Sequence, residues 1–338
     1  MYTSNTKINN QLSIWLTLMF WIVSIMIVVG GLTRLTDSGL SITEWELFSG
    51  FLPPLSKNDW IIYFNLYQEI PEFKLQNYNM TMNEFKVIFW WEWAHRFLGR
   101  FIGIGFLIPL IYFSFKIKIT RLINLYLIFL LICFQGFIGW YMVSSGLVDR
   151  IDVSHFRLSA HLLIAFFILS LIYLSYLKIY KERYVSNKLN IFIPLSFLVL
   201  IFLQITFGAF VSGMDAGKIY NTWPLMDSSY FPDDNKIKSL FKLSALSDPS
   251  LVQFIHRNLA YVIGLFYLTI FYKIYRNKMD GLYKSINYLG IFIIIQIVLG
   301  IFTVIYGAQI YIASMHQISS IFLVCTSIYF FYINTKIN

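Results

Sequence analysis

Four of the five histidines occupy matching places in the apolar stretches of the sequence. The sequence contains eight apolar stretches, and these histidines lie in the second, fourth, sixth and eighth. Each lies six to twelve residues from the end of its stretch that is predicted to face the outer side of a membrane: His95, His161, His256 and His316. One histidine in a membrane helix is commonly a hydrogen-bonded core residue, but four at one depth indicate paired ligands. We predict two pairs, His95 with His161 and His256 with His316. Facing imidazoles in a helix bundle suit a transition metal or the two axial positions of a haem.

Two considerations limit this interpretation. Zinc is less suited, because no cysteine and few acids lie near the histidines to complete a tetrahedral site. The fifth histidine, His155, precedes His161 by six residues, which is about 600° of helical rotation. The two side chains therefore point to different faces, and we interpret His155 as an interfacial histidine.

The second apolar stretch also carries three charged side chains, Glu92, Arg96 and Arg100. Each costs up to about 3 kcal/mol at the bilayer centre, which indicates partners or a function. Their i, i+4, i+8 spacing lines one helix face, with His95 close by. Glu92 is predicted to pair with Arg96. The arginines, together with Arg257, are predicted to hold haem propionates or to reach toward lipid headgroups.

An internal repeat relates the two halves of the chain. Gly30–Gly39 followed by Trp45 matches Gly208–Gly217 followed by Trp223, at a constant offset of 178 residues. Later matches pair Glu92–Arg96 with Gln253–Arg257, and Gln135–Gly139 with Gln296–Gly300. Four apolar stretches separate the copies, so both run in the same direction. We predict two four-helix units, residues 1–185 and 186–338, related by a pseudo-twofold axis along the membrane normal.

The repeat makes Glu92 informative, because the matching residue is Gln253. A glutamine has the same shape but cannot exchange a proton at neutral pH. We infer that the first unit performs chemistry that needs an acid, a base or a stabilising negative charge, while the second holds a redox cofactor. The alternative is that Glu92 is only a structural ion-pair partner.

The composition requires a membrane protein. Of 338 residues, 58% are hydrophobic and 13% are charged, whereas soluble domains have about 25% charged residues. The aromatic share of 19% also excludes a disordered chain. A bilayer core requires about 20 apolar residues per helix, and we count eight such stretches. They lie near 11–32, 86–115, 122–143, 158–180, 191–212, 251–274, 285–306 and 310–333. The predicted fold class is an all-α integral membrane protein.

The distribution of charge predicts the orientation. The net charge is +9, and 13 of the 26 basic residues lie with only two acidic residues in the termini and alternate loops. By the positive-inside rule these segments and both termini are cytoplasmic, so the charge reports topology rather than nucleic-acid binding. The first stretch lacks a small-residue cleavage site and is predicted to be a retained helix. We expect a bacterial inner membrane, with the mitochondrial inner membrane as the alternative.

Two smaller features complete the predictions. Cys133 and Cys325 each lie within an apolar stretch, so we expect two buried thiols and no disulfide. The repeated Gly-Asp-Gly loops are predicted to be turns, in which glycine supplies unusual backbone angles and aspartate caps a helix. The alternative is that these loops fold over a ligand at the outer surface.

Several motifs, spread in order over nearly the whole chain, resemble the haem A synthase family. They are Gly30–Thr36 with Asp37–Ser41, Glu84–Arg96, Gln135–Gly136 with Gly139–Val143, Arg157–His161, Asp215–Gly217 with Asn221–Met226, Gln253–Arg257 and His316–Gln317. The long motif around Glu92 and the doubled His-Arg pair make the resemblance specific. Some members carry cysteine pairs in the outer loops; this chain has none there and resembles the cysteine-free subgroup.

The resemblance implies an inner-membrane oxidoreductase that converts the methyl group of haem O into the formyl group of haem A. It implies that Glu92 is the catalytic acid and that His95 and His161 are the ligands of the substrate haem. It also implies that His256 and His316 bind a haem B cofactor. Haem O synthase would act upstream, and the product would pass to cytochrome c oxidase.

Two other functions remain open from the residues alone. A dihaem cytochrome that only transfers electrons would also need paired histidines. A haem transporter with parallel repeats could use Glu92 to gate release. The sequence leaves the electron partner and the oligomeric state undetermined, with a homo-oligomer among the alternatives.

Overall fold

A computed structural model describes residues 2–3, 5–46, 49–148, 150–179 and 187–335. Within these ranges the regular secondary structure is helical, and the β-type pairing consists of one isolated bridge between Met226 and Ser229. The predicted all-α class is confirmed. The α-helices in the described ranges are α1 (Thr6–Leu35), α2 (Lys57–Gln68), α3 (Pro71–Leu75), α4 (Met82–Ser114), α5 (Ile119–Ser144), α6 (His155–Leu177), α7 (Phe192–Gly213), α8 (Pro249–Arg276), α9 (Asp280–Ile305) and α10 (Ile310–Thr335).

Eight of these helices, all except α2 and α3, are long and apolar enough to cross a membrane. This confirms the eight predicted spans. Several helices start before the apolar stretch because a polar cap nucleates them. Thr81 and Glu84 form a reciprocal capping box at the start of α4, and Asp248 caps α8 by accepting a hydrogen bond from the Leu251 N–H.

One compact unit spans Leu18–Ile168 and carries a folded cap between α1 and α4. In this cap, α2 and α3 pack an aromatic cluster onto the N-terminal part of α4, and Tyr67 of α2 is buried together with Phe85 and Phe89 of α4. Apolar length does not predict α2 or α3, since both helices are too short to span a bilayer. The cap covers the segment of α4 that leads to Glu92.

The other compact unit comprises the rest of the described chain and contains α7–α10. Within it α7 packs against α8 and α10, and α9 packs against α10. The segment 214–248, which is described throughout, contains three short 3-10 helices and no α-helix: Ala216–Lys218, Ile237–Phe241 and Leu243–Ser247. The predicted boundary at residue 185 lies outside the described residues, and the pseudo-twofold relation stays a prediction.

Both cysteines are free, as predicted, but one expectation about them is wrong. Cys133 on α5 is exposed rather than buried, and Cys325 on α10 is half-buried. A thiol behaves as a small hydrophobic group, so an apolar stretch tolerates it on either face of a helix. Membership of a membrane span therefore does not determine burial inside the protein.

The matched Gly-Asp-Gly loops take their left-handed backbone at the aspartates, not at the glycines. φ is 48° at Asp37 and 52° at Asp215. Aspartate tolerates this region because its short polar side chain bonds locally. Arg34 donates to Asp37, and Lys218 pairs with Asp215, which makes no side-chain cap. The expected roles of glycine and of a capping Asp215 are therefore wrong.

Candidate active site

His95 on α4 and His161 on α6 face each other in the first unit, Leu18–Ile168. Their ring centroids are 6.3 Å apart and their planes are inclined by 59°. Metal–imidazole bonds are about 2 Å long, so this spacing accommodates one metal ion between the rings. The structure thus brings the first predicted pair together, and their role as ligands stays a prediction.

Each of the four histidine rings packs against a glycine on a neighbouring helix. The contacts are Gly30 with His95, Gly139 with His161, Gly208 with His256, and Gly300 with His316. A Cβ atom added to these glycines would lie 2.8, 2.9, 3.1 and 3.1 Å, respectively, from Cε1 of the ring. Only glycine allows such close approach, so the four glycines fix where each ring can lie.

Three of these glycines are preceded, one helical turn earlier, by a glutamine. Gln135 Nε2 donates to the His161 carbonyl at 2.9 Å, and Gln204 Nε2 donates to the His256 carbonyl at 3.0 Å. Gln296 Nε2 lies 3.3 Å from His316 Nε2. At the fourth glycine the corresponding residue is methionine. The amides therefore tie each of these histidines to an adjacent helix.

Glu92 is buried and accepts hydrogen bonds from four donors. Ser41 Oγ and the Ile42 N–H each donate to Oε2 at 2.7 Å. Arg96 donates to Oε1 from Nε at 3.0 Å and from Nη2 at 2.7 Å. The predicted ion pair with Arg96 is present, and the loop after α1 provides the other half of the site. Donors surround the carboxylate, which suits a negative charge.

Gln253, the matching residue in the second unit, has surroundings of opposite polarity. Its Nε2 donates to the carbonyls of Ala216 and Ile219, at 2.9 and 2.8 Å. Its Oε1 accepts from Arg257 Nη2 at 3.2 Å. The loop after α1 presents donors to Glu92, whereas the loop after α7 presents acceptors to Gln253. The exchange of glutamate for glutamine is thus accompanied by a change in the loop.

The arginines bind loop carbonyls at matched positions of the repeat. Arg96 donates to the carbonyls of Ile42 and Glu44, and Arg257 donates to those of Tyr220, Thr222 and Leu225. Ile42 and Glu44 correspond to Tyr220 and Thr222 at the offset of 178. Arg100 donates to the Glu46 carbonyl at 2.6 Å. In this structure the three arginines hold the loops that follow α1 and α7, and propionate binding stays a prediction.

The histidine environment fits a haem in each unit. The Nδ1 atoms of all four rings are buried without a hydrogen-bond partner among the described residues. Buried polar atoms normally have partners, so the rings are not placed there to satisfy the protein interior. The described residues contain no group of three or more His, Cys, Asp and Glu side chains suited to a metal. Two imidazoles per unit suit a metal whose other ligands come from a macrocycle.

The cap of the first unit contains a buried acid that the sequence analysis does not identify. Tyr67 OH donates to Glu72 Oε1 at 3.1 Å, and Asn77 Nδ2 donates to both, at 2.8 Å to Tyr67 OH and 3.3 Å to Glu72 Oε1. Burial raises the pKa of Glu72 to about 8 and raises the pKa of Tyr67 above its usual range. Glu72 therefore holds its proton at neutral pH.

Ser41 and the four glycines are also missed by the sequence analysis. A spacing of four residues between Gln135 and Gly139 recurs in Gln204–Gly208 and Gln296–Gly300. This recurrence could have identified the glycines as partners of the histidines. No pattern in the sequence connects Ser41 to Glu92, 51 residues away.

The chain is similar to known proteins over almost its full length. The family model described as "Cytochrome oxidase assembly protein" matches residues 13–328. The chain is 48% identical over 338 residues to the "Heme A synthase" of Pelagibacter ubique (strain HTCC1062), with 99% of this chain and 100% of that protein covered. It is 42% identical over 326 residues to the "Heme A synthase" of Rickettsia bellii (strain RML369-C), with 94% and 97% covered.

A third relative, the "Heme A synthase" of Maricaulis maris (strain MCS10), is 41% identical over 325 residues, and 95% of each chain is covered. The range matched by the family model, residues 13–328, therefore extends across both units. Because the family model and these relatives match the chain almost from end to end, the chain belongs to the haem A synthase family.

Proposed function

We propose that this chain oxidises the methyl group of haem O to the formyl group of haem A and that its first unit carries out the reaction. Membership of the haem A synthase family supports the overall conversion. The contrast between Glu92 and Gln253 supports the assignment to the first unit. There a carboxylate lies on the same helix as His95, three residues away, whereas the second unit has a neutral amide.

Glu92 is the catalytic group of this proposal. Conversion of a methyl group into an aldehyde adds one oxygen atom, transfers four electrons to an external acceptor, passes through an alcohol and releases protons from the carbon. A carboxylate held by Ser41, Ile42 and Arg96 is positioned to accept a proton or to stabilise positive charge on the macrocycle. His95 and His161 would hold the substrate between α4 and α6.

The second unit is proposed to hold haem B through His256 and His316. Haem B would supply one-electron redox chemistry when bound. Gly208 and Gly300 fix the two rings, and Gln204 and Gln296 lie beside them. The variants His256→Ala and His316→Ala should lose the haem that remains bound through purification, as measured by the pyridine haemochrome spectrum. Retention of that haem would contradict the assignment.

The proposed setting is a bacterial inner membrane with both termini on the cytoplasmic side. Eight spans and the basic termini and alternate loops support this orientation. The loops that hold Glu92 and Gln253 then lie at the outer surface. We further propose that haem O synthase supplies the substrate and that cytochrome c oxidase receives the product, in line with the matching family description.

The deciding experiment expresses the full chain in a host that makes haem O but no haem A. Haems are then extracted and identified by chromatography and mass spectrometry. We expect haem A together with a hydroxylated intermediate. A folded, haem-loaded protein that yields neither product would overturn the proposal and favour an electron-transferring cytochrome or a haem transporter. Glu92→Gln, expressed in parallel, provides the inactive control.

A further inference from the structure

The side-chain amide of Gln135 has one bonded end and one unbonded end. Its Nε2 donates to the His161 carbonyl at 2.9 Å. A carbonyl oxygen only accepts, so this contact fixes which end of the amide faces α6. Its Oε1 is buried and has no hydrogen-bond partner within the described part of the chain. An acceptor therefore remains available beside His161, one turn from Gly139.

In the second unit of the repeat, the amide oxygen at the matching position has a hydrogen-bond partner. Gln296 in the second unit matches Gln135, and its Oε1 accepts a hydrogen bond from Ser319. Ser319 follows His316 by three residues, and the residue three after His161 is Ile164. Isoleucine has no donor. The second unit thus contains an internal partner for this amide oxygen, and the first unit has an apolar side chain in its place.

The other second-unit amide differs from Gln135 in its contacts. Gln204 Oε1 is also buried and lacks a partner among the described residues. However, Gln204 Nε2 lies 3.4 Å from the ring nitrogen of His256, much as Gln296 lies beside His316. Gln204 corresponds to Met26 at the offset of 178, so the first unit has no amide there. The unpartnered acceptor of the first unit, Gln135 Oε1, therefore belongs to the glutamine that contacts His161, the later histidine of its pair. The unpartnered acceptor of the second unit, Gln204 Oε1, belongs to the glutamine that contacts His256, the earlier histidine of its pair.

A buried acceptor without a partner costs about 1–3 kcal/mol, and a ligand that brings a donor recovers this free energy. Haem O carries an alcohol on its long side chain, and oxidation of its methyl group passes through a second alcohol. Haem B carries neither. We propose that Gln135 Oε1 accepts a hydrogen bond from an alcohol of the macrocycle bound in the first unit and so distinguishes that macrocycle from haem B. This inference rests on the proposed function.

Two variants test the inference from opposite directions. Gln135→Met removes the acceptor and introduces the residue that the chain itself uses at position 26. Ile164→Ser retains Gln135 but adds a donor at the place that Ser319 occupies in the second unit. Gln204→Met is the control, because it makes the same substitution in the second unit, one helical turn before the glycine that contacts His256. Each full-length protein is purified from a host that makes haem B but no haem O.

The measurement is a titration in detergent with haem O and, separately, with haem B, followed by absorbance. If the side-chain alcohol is the donor, Gln135→Met and Ile164→Ser should bind haem O about tenfold more weakly. Haem B binding should not change in either variant, and Gln204→Met should retain wild-type affinity for haem O. Agreement between the two first-unit variants also excludes misfolding of one of them as the cause.

If the alcohol formed during oxidation is the donor, haem O affinity should stay unchanged. The variants should then release a larger share of hydroxylated haem during turnover in a host that makes haem O. The inference is overturned if neither quantity changes, or if haem O and haem B lose affinity equally. Selective binding of haem O without haem A formation would contradict only the proposed function. Haem A formation by both variants with unchanged haem O affinity and an unchanged share of hydroxylated haem would contradict only this inference.

Discussion

In each unit a matched arginine holds a loop, and the two units differ at the residue four positions earlier on the same helix. Arg96 and Arg257 each bind carbonyls at matched positions of their loops. On the same helices, Glu92 accepts hydrogen bonds from its loop, whereas Gln253 donates hydrogen bonds to its loop. The two units thus share the arginine–carbonyl contacts, and the direction of the hydrogen bonds between the loop and residue 92 or 253 is reversed.

This difference shows that the two residues cannot be exchanged independently of their loops. A carboxylate only accepts hydrogen bonds, so at position 253 it would face the carbonyls of Ala216 and Ile219 without a donor. An amide at position 92 would direct its NH2 group toward the Ile42 N–H or toward Arg96. Each unit is therefore specialised both at this residue and in the loop that contacts it, and the comparison can be tested at several of these positions.

The largest expected effect comes from Glu92→Gln. The variant removes the negative charge and leaves a donor facing a donor, so we expect haem A formation to fall by at least about 100-fold. The haem of the second unit should remain, because its ligands and glycine contacts are unchanged. Haem A is measured by chromatography of extracted haems, and retained haem is measured by the pyridine haemochrome spectrum.

The reciprocal variant, Gln253→Glu, is the matched control for Glu92→Gln. It places a carboxylate against two loop carbonyls and should weaken haem retention in the second unit rather than create a second reactive unit. Full turnover by Glu92→Gln would show that Glu92 is a structural ion-pair partner, which is the alternative that the sequence leaves open.

A smaller effect is expected from alanine at the glycines that contact the histidines. The added Cβ would lie 2.8 Å from the His95 ring in Gly30→Ala and 3.1 Å from the His256 ring in Gly208→Ala. Overpacking of this kind costs about 1–3 kcal/mol. We expect Gly30→Ala to lower haem O affinity more than Gly208→Ala lowers haem B retention, as measured by titration and by haem content. An equal effect of the two variants would show that the closer contact between Gly30 and the His95 ring has no consequence for haem binding.

Much of this architecture follows from the sequence. Hydropathy predicts all eight spans, and the repeat predicts that Glu92 and Gln253 differ within a shared frame. The ion pair of Glu92 with Arg96 follows from their spacing of four residues on one helix. These features depend on local periodicity or on comparison of the two halves, both of which a single sequence contains.

Other features depend on contacts between distant segments and could not be predicted. Ser41 reaches Glu92 through a loop whose path has no periodic pattern. The cap helices α2 and α3 are short and gain their stability from packing on Phe85 and Phe89, so local propensity does not specify them. Propensity predicts glycine for the left-handed backbone of these loops, but the aspartate adopts it in both loops.

Ser41→Ala should have a moderate effect that is confined to the first unit. It removes one of the four donors to Glu92 and leaves the Ile42 N–H and Arg96 in place, so the turnover number should fall about fivefold. The matching residue, Ile219, has no hydroxyl, so Ile219→Ala is a control that should leave turnover unchanged. We expect Ser41→Thr to recover most of the activity. Wild-type turnover in Ser41→Ala would show that the backbone and Arg96 suffice to position Glu92.

The smallest effect on turnover is expected from Glu72→Gln, which alters a cap that the second unit lacks. The pKa of Glu72 is raised from 4.5 to about 8, because the folded cap buries its carboxyl group. The unfolded cap therefore loses this proton at lower pH than the folded cap, and the free energy of opening falls as pH rises from about 5 to 8. Hydrogen exchange of α2 and α3 measures this free energy at each pH.

Glu72→Gln carries no titrating group, so its opening free energy should vary much less over the same range, while haem A formation stays near the wild-type level. Tyr67→Phe is the companion variant: it removes a hydrogen bond to Glu72 but retains the acid, so the pH dependence should persist. An equally steep pH dependence in Glu72→Gln would show that Glu72 is not the group whose titration controls the opening of the cap.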